Sequence, residues 1–264
     1  MNKKNVYERP WGRFIVLEDK SNYKLKRIEV NPGHRLSYQY HNKRSEVWTI
    51  VDGYGEIIID GKSTDETFKI IQKYKTNITK IVSEKDNGIY DAFNKGLKLA
   101  TGDLIGFVNS DDLLTPNALE LLIKYYNKYP TKDFIFGAVK KHWDVLHGYK
   151  PWKIYFSWGF YSSHSTGFFI KKNAAKIVGL YNTKYKYSAD YDYFYRMIVK
   201  HKLRGIGTKK DELFGIFSRG GFSSKINFFD HLVECTKIRL DNGQNKIIVL
   251  LTIIFKFICN IKRL

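Results

Sequence analysis

The hydrophobic period of this chain changes at Asp60, and few folds accommodate both halves. Up to that point apolar and polar residues alternate, as in strands whose successive side chains point to opposite faces. Beyond it, stretches of helical length alternate with short β-branched runs. The boundary reads Ile57-Ile58-Ile59-Asp60-Gly61-Lys62-Ser63-Thr64-Asp65, a strand that ends in a carboxylate and then turns. Ser63-x-x-Glu66 follows with capping-box spacing for a helix. Open α/β sheets place nucleotides where a strand's carboxyl end gives way to a helix in this way.

In residues 1–59, Tyr23 to Val30 alternates and Asn31-Pro32-Gly33 is a turn. Glu46 to Val51 reads as a second strand, and Glu56 to Asp60 begins a third. This is a small antiparallel β segment without a helix. Inside it lies Gly33-x5-Gln39-x-His41-x4-Glu46-x6-Gly53. Gln39 and His41 share one strand face, and Glu46 can return on the neighbouring strand. Nitrogen and oxygen ligands are thereby brought together around a divalent metal.

That spacing resembles the first cupin motif, with Gln in place of the usual first His. Glu8-Arg9-Pro10-Trp11-Gly12-Arg13 and Leu36-Ser37-x-Gln39-x-His41-x-x-Arg44-Ser45-Glu46-x-Trp48 are similar to type II phosphomannose isomerases. They are also similar to the C-terminal module of mannose-1-phosphate guanylyltransferases. The resemblance implies metal binding at Gln39, His41 and Glu46, and it stops at about Asp60. None of the five prolines starts the second cupin motif, Pro-x-Gly-x-x-His. The expectation is therefore a partial cupin with an incomplete ligand set and no isomerase activity.

Residues 60–225 read as helix Glu66 to Tyr74, strand Ile78 to Val82, helix Ile89 to Ala100 and strand Leu104 to Val108. Thr115-Pro116 caps and opens helix Asn117 to Tyr129, and strand Phe134 to Val139 follows. Such alternation predicts a mainly parallel sheet covered by helices. Where strand Leu104 to Val108 runs out stand Asn109-Ser110-Asp111-Asp112. Paired carboxylates at a strand end can hold a hard cation that completes its shell with water and substrate phosphates.

Three segments occur in order. They are Asp60-Gly61-x-Ser63-x-Asp65, then Glu84-Lys85-Asp86-x-Gly88-Ile89-Tyr90-Asp91-Ala92-x-Asn94-Lys95-Gly96, then Ala100-x-Gly102-Asp103-x-Ile105-Gly106-Phe107-x-Asn109-Ser110-Asp111-Asp112. Together they resemble family-two glycosyltransferases, whose fold is the Rossmann-like α/β arrangement called GT-A.

The resemblance implies a nucleotide-sugar donor bound by Asp60 at the base, by Asp111 near the ribose or phosphate, and by Asn94 and Lys95. Asp112 would hold Mn2+ or Mg2+. Ser163-His164-Ser165-Thr166-Gly167-Phe168-Phe169 matches the acceptor side, with His164 and Gly167 as candidates. Asp190, opening a helix, matches the general base of an inverting transfer, which needs one group to take the acceptor proton. Asp192 is two residues on, faces elsewhere, and reads as a first-turn charge favourable to the helix dipole. Arg219, in Arg219-Gly220-Gly221-x-Ser223, resembles the loop over the diphosphate. In the family a strand, turn and helix precede the strand that ends at Asp60. Here the cupin-like segment stands in their place. Either Glu46 to Val51 pairs into the vacant position or the sheet is shorter, and both weaken donor binding.

Residues 226–264 predict two helices, Ile226 to Leu240 and Lys246 to Leu264, the second too short to span a bilayer. It can lie on an anionic membrane as a basic amphipathic helix or pack on the catalytic domain. The formal charge of +19 suits an anionic membrane or phosphorylated substrates, and also a lysine-rich composition without a functional face. No nucleic-acid-binding signature accompanies it, so nucleic acid is not an expected partner. Cys235 and Cys259 are the two cysteines, and the start Met-Asn-Lys-Lys-Asn has no apolar signal core. Both point to a cytoplasmic protein, peripheral at the membrane if the last helix docks there. The 18 Phe and 19 Tyr suit well-filled cores or sugar-stacking surfaces.

The leading functional expectation is transfer of a sugar from a nucleotide donor to a glycan or lipid-linked acceptor. The alternatives are a catalytically impaired fusion of two sugar-pathway genes and, last, a cupin-type mannose-6-phosphate isomerase.

Overall fold

The computed structural model describes residues 6–10, 12–19, 24–31, 56–110, 112–156, 165–217 and 226–260. The chain divides into two compact units, Met1–Val51 and Asp52–Leu264. In the first, β1 (Val6–Arg9), β2 (Gly12–Asp19) and β3 (Lys24–Val30) form an antiparallel meander. Val6 lies opposite Ile15, and Gly12 opposite Val30. Arg13 Nε and Glu29 Oε2 form a cross-strand ion pair at 2.6 Å. Gln39, His41 and Glu46 lie outside the described residues, as does the predicted strand Glu46 to Val51.

The second unit opens with β4 (Ile57–Asp60), α1 (Thr67–Lys73) and β5 (Lys80–Ser83). The two strands are parallel, with Ile57 opposite Lys80 and Asp60 opposite Ser83. Ser63 does not cap α1. Its hydroxyl and its N–H both turn back to the Asp60 carboxylate. The N–H of Thr67 is accepted instead by Asp65 Oδ1, at 2.9 Å. A strand-end carboxylate three residues away offers Ser63 a charged acceptor, which is stronger than a backbone partner.

Next come α2 (Ile89–Leu99), β6 (Leu104–Gly106), β7 (Leu113–Leu114), α3 (Ala118–Lys128), β8 (Phe134–Phe136), β9 (Ala138–Lys140) and β10 (Val145–Leu146). They are followed by β11 (Phe168–Lys171), α4 (Lys172–Val178), α5 (Ala189–Tyr195), β12 (Gly205–Gly207), β13 (Leu213–Ile216), α6 (Phe228–Asp241) and α7 (Lys246–Asn260). Thr115 serves β13 rather than capping α3, since its hydroxyl donates to the Leu213 carbonyl at 2.6 Å.

The strands form two four-stranded sheets, ordered β12-β8-β11-β6 and β10-β9-β13-β7. Among the described residues, β4 pairs with β5 alone, and β6 with β11 alone. Parallel pairing holds for β4 with β5, β8 with β12, and β9 with β13. β11 enters antiparallel between β8 and β6, and β7 and β10 are antiparallel to their neighbours. The sheets are thus mixed rather than mainly parallel. Parallel pairing needs a crossover helix, and no helix intervenes between β9 and β10, where a short turn closes through Lys141 N–H to Asp144 O.

The predicted strand Phe134 to Val139 is split at Gly137, where the chain leaves one sheet and enters the other. A Cβ on residue 137 would lie 2.1 Å from Phe214 Cγ, so only glycine fits there. Phe134, Phe136, Phe168, Tyr181, Tyr193 and Phe194 fill the main core. Tyr181 and Tyr193 stack there at 4.2 Å, so much of the aromatic content is structural.

Candidate functional site

Asp60 ends β4 and is buried. Its Oδ2 accepts the Ser83 hydroxyl at 2.6 Å, from the end of the neighbouring strand. Lys62 adopts φ 64°, the left-handed region, which turns the chain tightly enough for the loop N–H groups to face the carboxylate. Burial works to raise the Asp60 pKa, but the hydrogen bonds from Ser63 and Ser83 outweigh it and hold the group below the usual 3.8. A depressed carboxylate contributes stability that is complete above its unfolded pKa and is lost as pH falls through the folded value. Ser83→Ala is therefore expected to raise the Asp60 pKa and move the onset of acid unfolding to higher pH. An NMR titration of the carboxyl carbons measures both, and an unmoved Asp60 would discount the Ser83 bond.

Lys95 packs against the same turn. Its Nζ pairs with Asp86, and Glu84 Oε1 lies 3.2 Å away. The Asp86 hydrogen bond is the main reason its pKa is raised. Gly61 lets that pair approach, since a Cβ there would sit 3.0 Å from Asp86 Oδ2. Asn94, one residue earlier on α2, has both amide atoms engaged by the Tyr181 backbone, at 2.8 and 2.9 Å. The structure gives Asn94 the duty of a clamp between α2 and the chain leading to α5.

Asp112 follows β6 and is buried. Its Oδ2 accepts the Thr166 hydroxyl at 2.6 Å and the Asn109 side-chain amide at 3.0 Å. Asn109 Nδ2 also lies 2.9 Å from the Ser165 hydroxyl. The turn before β11 thus orients this carboxylate, and Gly167 is buried in the same turn. Among the described residues no group of three or more His, Cys, Asp or Glu gathers around one point. Mg2+ ordinarily takes one or two carboxylates and fills its other positions with water and phosphate oxygens. Asp112, oriented by neutral donors, fits that arrangement for Mg2+ or Mn2+. Asp111, His164 and Arg219 lie outside the described residues.

Asp190 is half-buried at the start of α5. Its Oδ1 accepts the Tyr191 N–H at 2.8 Å, and the Tyr90 hydroxyl lies 3.2 Å away. Burial, then the Asp190 charge, pushes the Tyr90 hydroxyl well above its ordinary value of 10, so it stays a donor. Asp192 does face away from Asp190, yet it is no solvated dipole charge. Only 2% exposed, it accepts Arg196 Nε at 2.9 Å and Asn242 Nδ2 at 3.0 Å. Arg196 lies one turn further along the same helix, and that is what draws Asp192 inward.

Sequence reasoning passed over Lys141. It follows β9 and is half-buried, with its Nζ 4.4 Å from the centre of the Phe217 ring. Burial lowers its pKa, while Asp112 and then Asp190 act to raise it. One ammonium therefore feels both carboxylates. The signal was its place just past the carboxyl end of a strand, where α/β sheets gather ligands, but 45 basic residues obscured it.

The sequence model of glycosyl transferase family 2 matches residues 52–194, and that of the mannose-6-phosphate isomerase C-terminal family matches residues 1–83. The second match runs past Asp60, so residues 52–83 fall in both. In the structure that shared stretch holds a parallel strand-helix-strand unit. A PGL/p-HBAD biosynthesis glycosyltransferase of Mycobacterium bovis (strain BCG / Pasteur 1173P2) is 27% identical over 151 residues. The match takes in 52% of this chain and 55% of that protein, so the chain spans about half the length of this curated relative. The mannose-1-phosphate guanylyltransferase of Escherichia coli (strain K12) is 43% identical over 58 residues, 22% of this chain and 12% of that protein. Among solved structures, the mannosyltransferase PcManGT from Pyrobaculum calidifontis, in complex with GDP-Man and Mn2+, is similar with a TM-score of 0.54. It is 16% identical, covers 79% of this chain and 66% of its own, and shares the GT-A fold. The family 2 match takes in more than half of the 264 residues, with Asp60, Asp112 and Asp190 among them, and the chain belongs to glycosyl transferase family 2.

Proposed function

We propose that this chain moves a sugar from a nucleotide-sugar donor to a hydroxyl of a glycan or lipid-linked acceptor, by metal-assisted inverting displacement in the cytoplasm. The observation that carries the reading is the pair of oriented carboxylates inside the family 2 match: Asp112, whose Oδ2 accepts from Thr166 and Asn109, and Asp190, whose Oδ1 accepts the Tyr191 N–H. The Lys141 ammonium, just past β9, is acted on by both charges. Asp190 takes the acceptor proton as the oxygen attacks the anomeric carbon. The new carbon–oxygen bond forms as the bond to the diphosphate breaks, and the electron pair leaves with the diphosphate. Asp112, with Asp111 beside it in sequence, would hold the divalent ion, which when bound neutralises that leaving charge. Lys141 supplies a fixed positive charge on the same side. Asp60 and the Lys95–Asp86 pair line the base end. A mannosyltransferase of the same fold, solved in complex with GDP-Man and Mn2+, supports the combination of nucleotide sugar and metal.

The test is calorimetric titration with nucleoside diphosphates and Mn2+, followed by transfer or donor hydrolysis across common nucleotide sugars. Saturable Mn2+-dependent binding and turnover are expected, with turnover reduced about 10²-fold in Lys141→Met. Absence of both binding and turnover overturns the proposal. It would instead favour a non-catalytic fusion product, a reading supported by the 52–83 overlap and by the single described partners of β4 and β6. Isomerase activity is not proposed, because the chain carries one cupin motif without the second.

A further inference from the structure

The C-terminal helix is built with its apolar side outward. On α7 the residues turned inward are Val249, Thr252, Ile253 and Lys256, while Ile247, Leu251, Ile254 and Ile258 form an outer stripe at 68, 60, 46 and 61% exposure. These four recur at helical spacing, and Leu250 and Phe255 widen the stripe. A helix of a globular protein ordinarily turns such a stripe into the core.

The inward residues are fixed by α6. Lys256 is half-buried beside His231, Cys235 and Arg239, and its pKa is pushed down to about 8 by burial. Thr252 Oγ1 satisfies itself on the Ile248 carbonyl at 2.7 Å. The apolar surface continues onto α6 through Phe229, whose ring lies 6.4 Å from that of Phe257, and Val233 one turn on is also exposed. A contiguous patch of this kind marks a docking surface.

Charge identifies what docks. Residues 246–264 contain no Asp or Glu; Lys256 is turned inward, but Lys246 is exposed at the start of α7 and Lys262 and Arg263 follow the helix in sequence, in a chain of formal charge +19. A two-fold pairing with a second copy would set identical cationic segments against each other. An anionic bilayer complements both the apolar stripe and the cations. At about 22 Å, the 15 residues of α7 fall short of a bilayer core. Among the described residues no helix is long and apolar enough to cross a membrane.

We propose that α7 lies in the headgroup layer of an anionic membrane, with Ile247, Leu251, Ile254 and Ile258 embedded. α6 also reaches the residues before the candidate base, with Cys235 Sγ 3.7 Å from the Ser188 hydroxyl. If the transferase reading holds, docking keeps the transferase at the surface where a lipid-linked acceptor resides. The docking itself stands without that reading.

The test is sedimentation of the full chain with vesicles of phosphatidylcholine alone or mixed with phosphatidylglycerol. Binding to the anionic vesicles should be at least about 10-fold tighter. The double variant Leu251→Glu, Ile254→Glu should lose it by about 10-fold or more, with an unchanged melting curve and unchanged nucleotide titration. A fluorophore on Cys259, which is exposed whereas Cys235 is buried, should shift to shorter wavelength on binding. Three results would overturn the proposal: no cosedimentation, binding that survives the double variant, or a dimer that the same variant dissolves without any vesicle binding.

Discussion

Asp190→Asn is expected to lower the transfer rate by about 10²- to 10⁴-fold, the usual contribution of a general base, while leaving fold and donor affinity intact. The asparagine Oδ1 can still accept from the Tyr191 N–H and the Tyr90 hydroxyl, so the start of α5 keeps its geometry. What it loses is the capacity to take a proton. Steady-state turnover with acceptor present, set beside calorimetric affinity for the nucleoside diphosphate and Mn2+, separates the two. A variant that retains turnover within about tenfold of the parent would remove Asp190 from the base role.

Two residues further on, the same substitution should do the reverse. Asp192→Asn is expected to cost about 3 kcal/mol of stability or more, because it strands a guanidinium whose partner was buried. Arg196 also donates to the carbonyls of Val178 and Leu180, so Asp192 sits at the centre of a junction between α4, α5 and α6. For a chain of this size the loss corresponds to a melting point lower by roughly 6–12 °C. Urea denaturation gives the energy directly. At temperatures where the variant is folded, its turnover should match the parent. An Asp192→Asn protein as stable as the parent would show that the buried pair contributes nothing net.

That contrast shows what periodicity can and cannot carry. The apolar spacing of Ile89, Phe93 and Leu97 placed α2 within a residue of its observed end, and the spacing after Thr115-Pro116 did the same for α3. Helix faces are local, so they survive in the sequence. Which of two nearby carboxylates is buried is decided by Arg196 and by Asn242, fifty residues away, and no local pattern records that. Ser63 and Thr115 looked like caps because caps and tertiary hydrogen bonds use the same hydroxyl. Gly137 sat unseen inside an apolar run, since its role depends on the Phe214 ring. Asp60, Asp112 and Asp190 could be named as candidates because motif order carries them. Lys141 was not, because a single charge in a basic chain has no pattern.

The break at Gly137 also ties the chemistry to the architecture. The Gly137 N–H is held by the Gly167 carbonyl at 2.8 Å, and the next residue back, Thr166, holds Asp112. Gly215 of β13 closes on the methyl group of Thr166, where a Cβ would come within 2.7 Å. The turn that carries Thr166 is therefore held from both sheets at once. Among the described residues, Thr166 and Gly167 thus tie the Asp112 carboxylate to strands of both sheets.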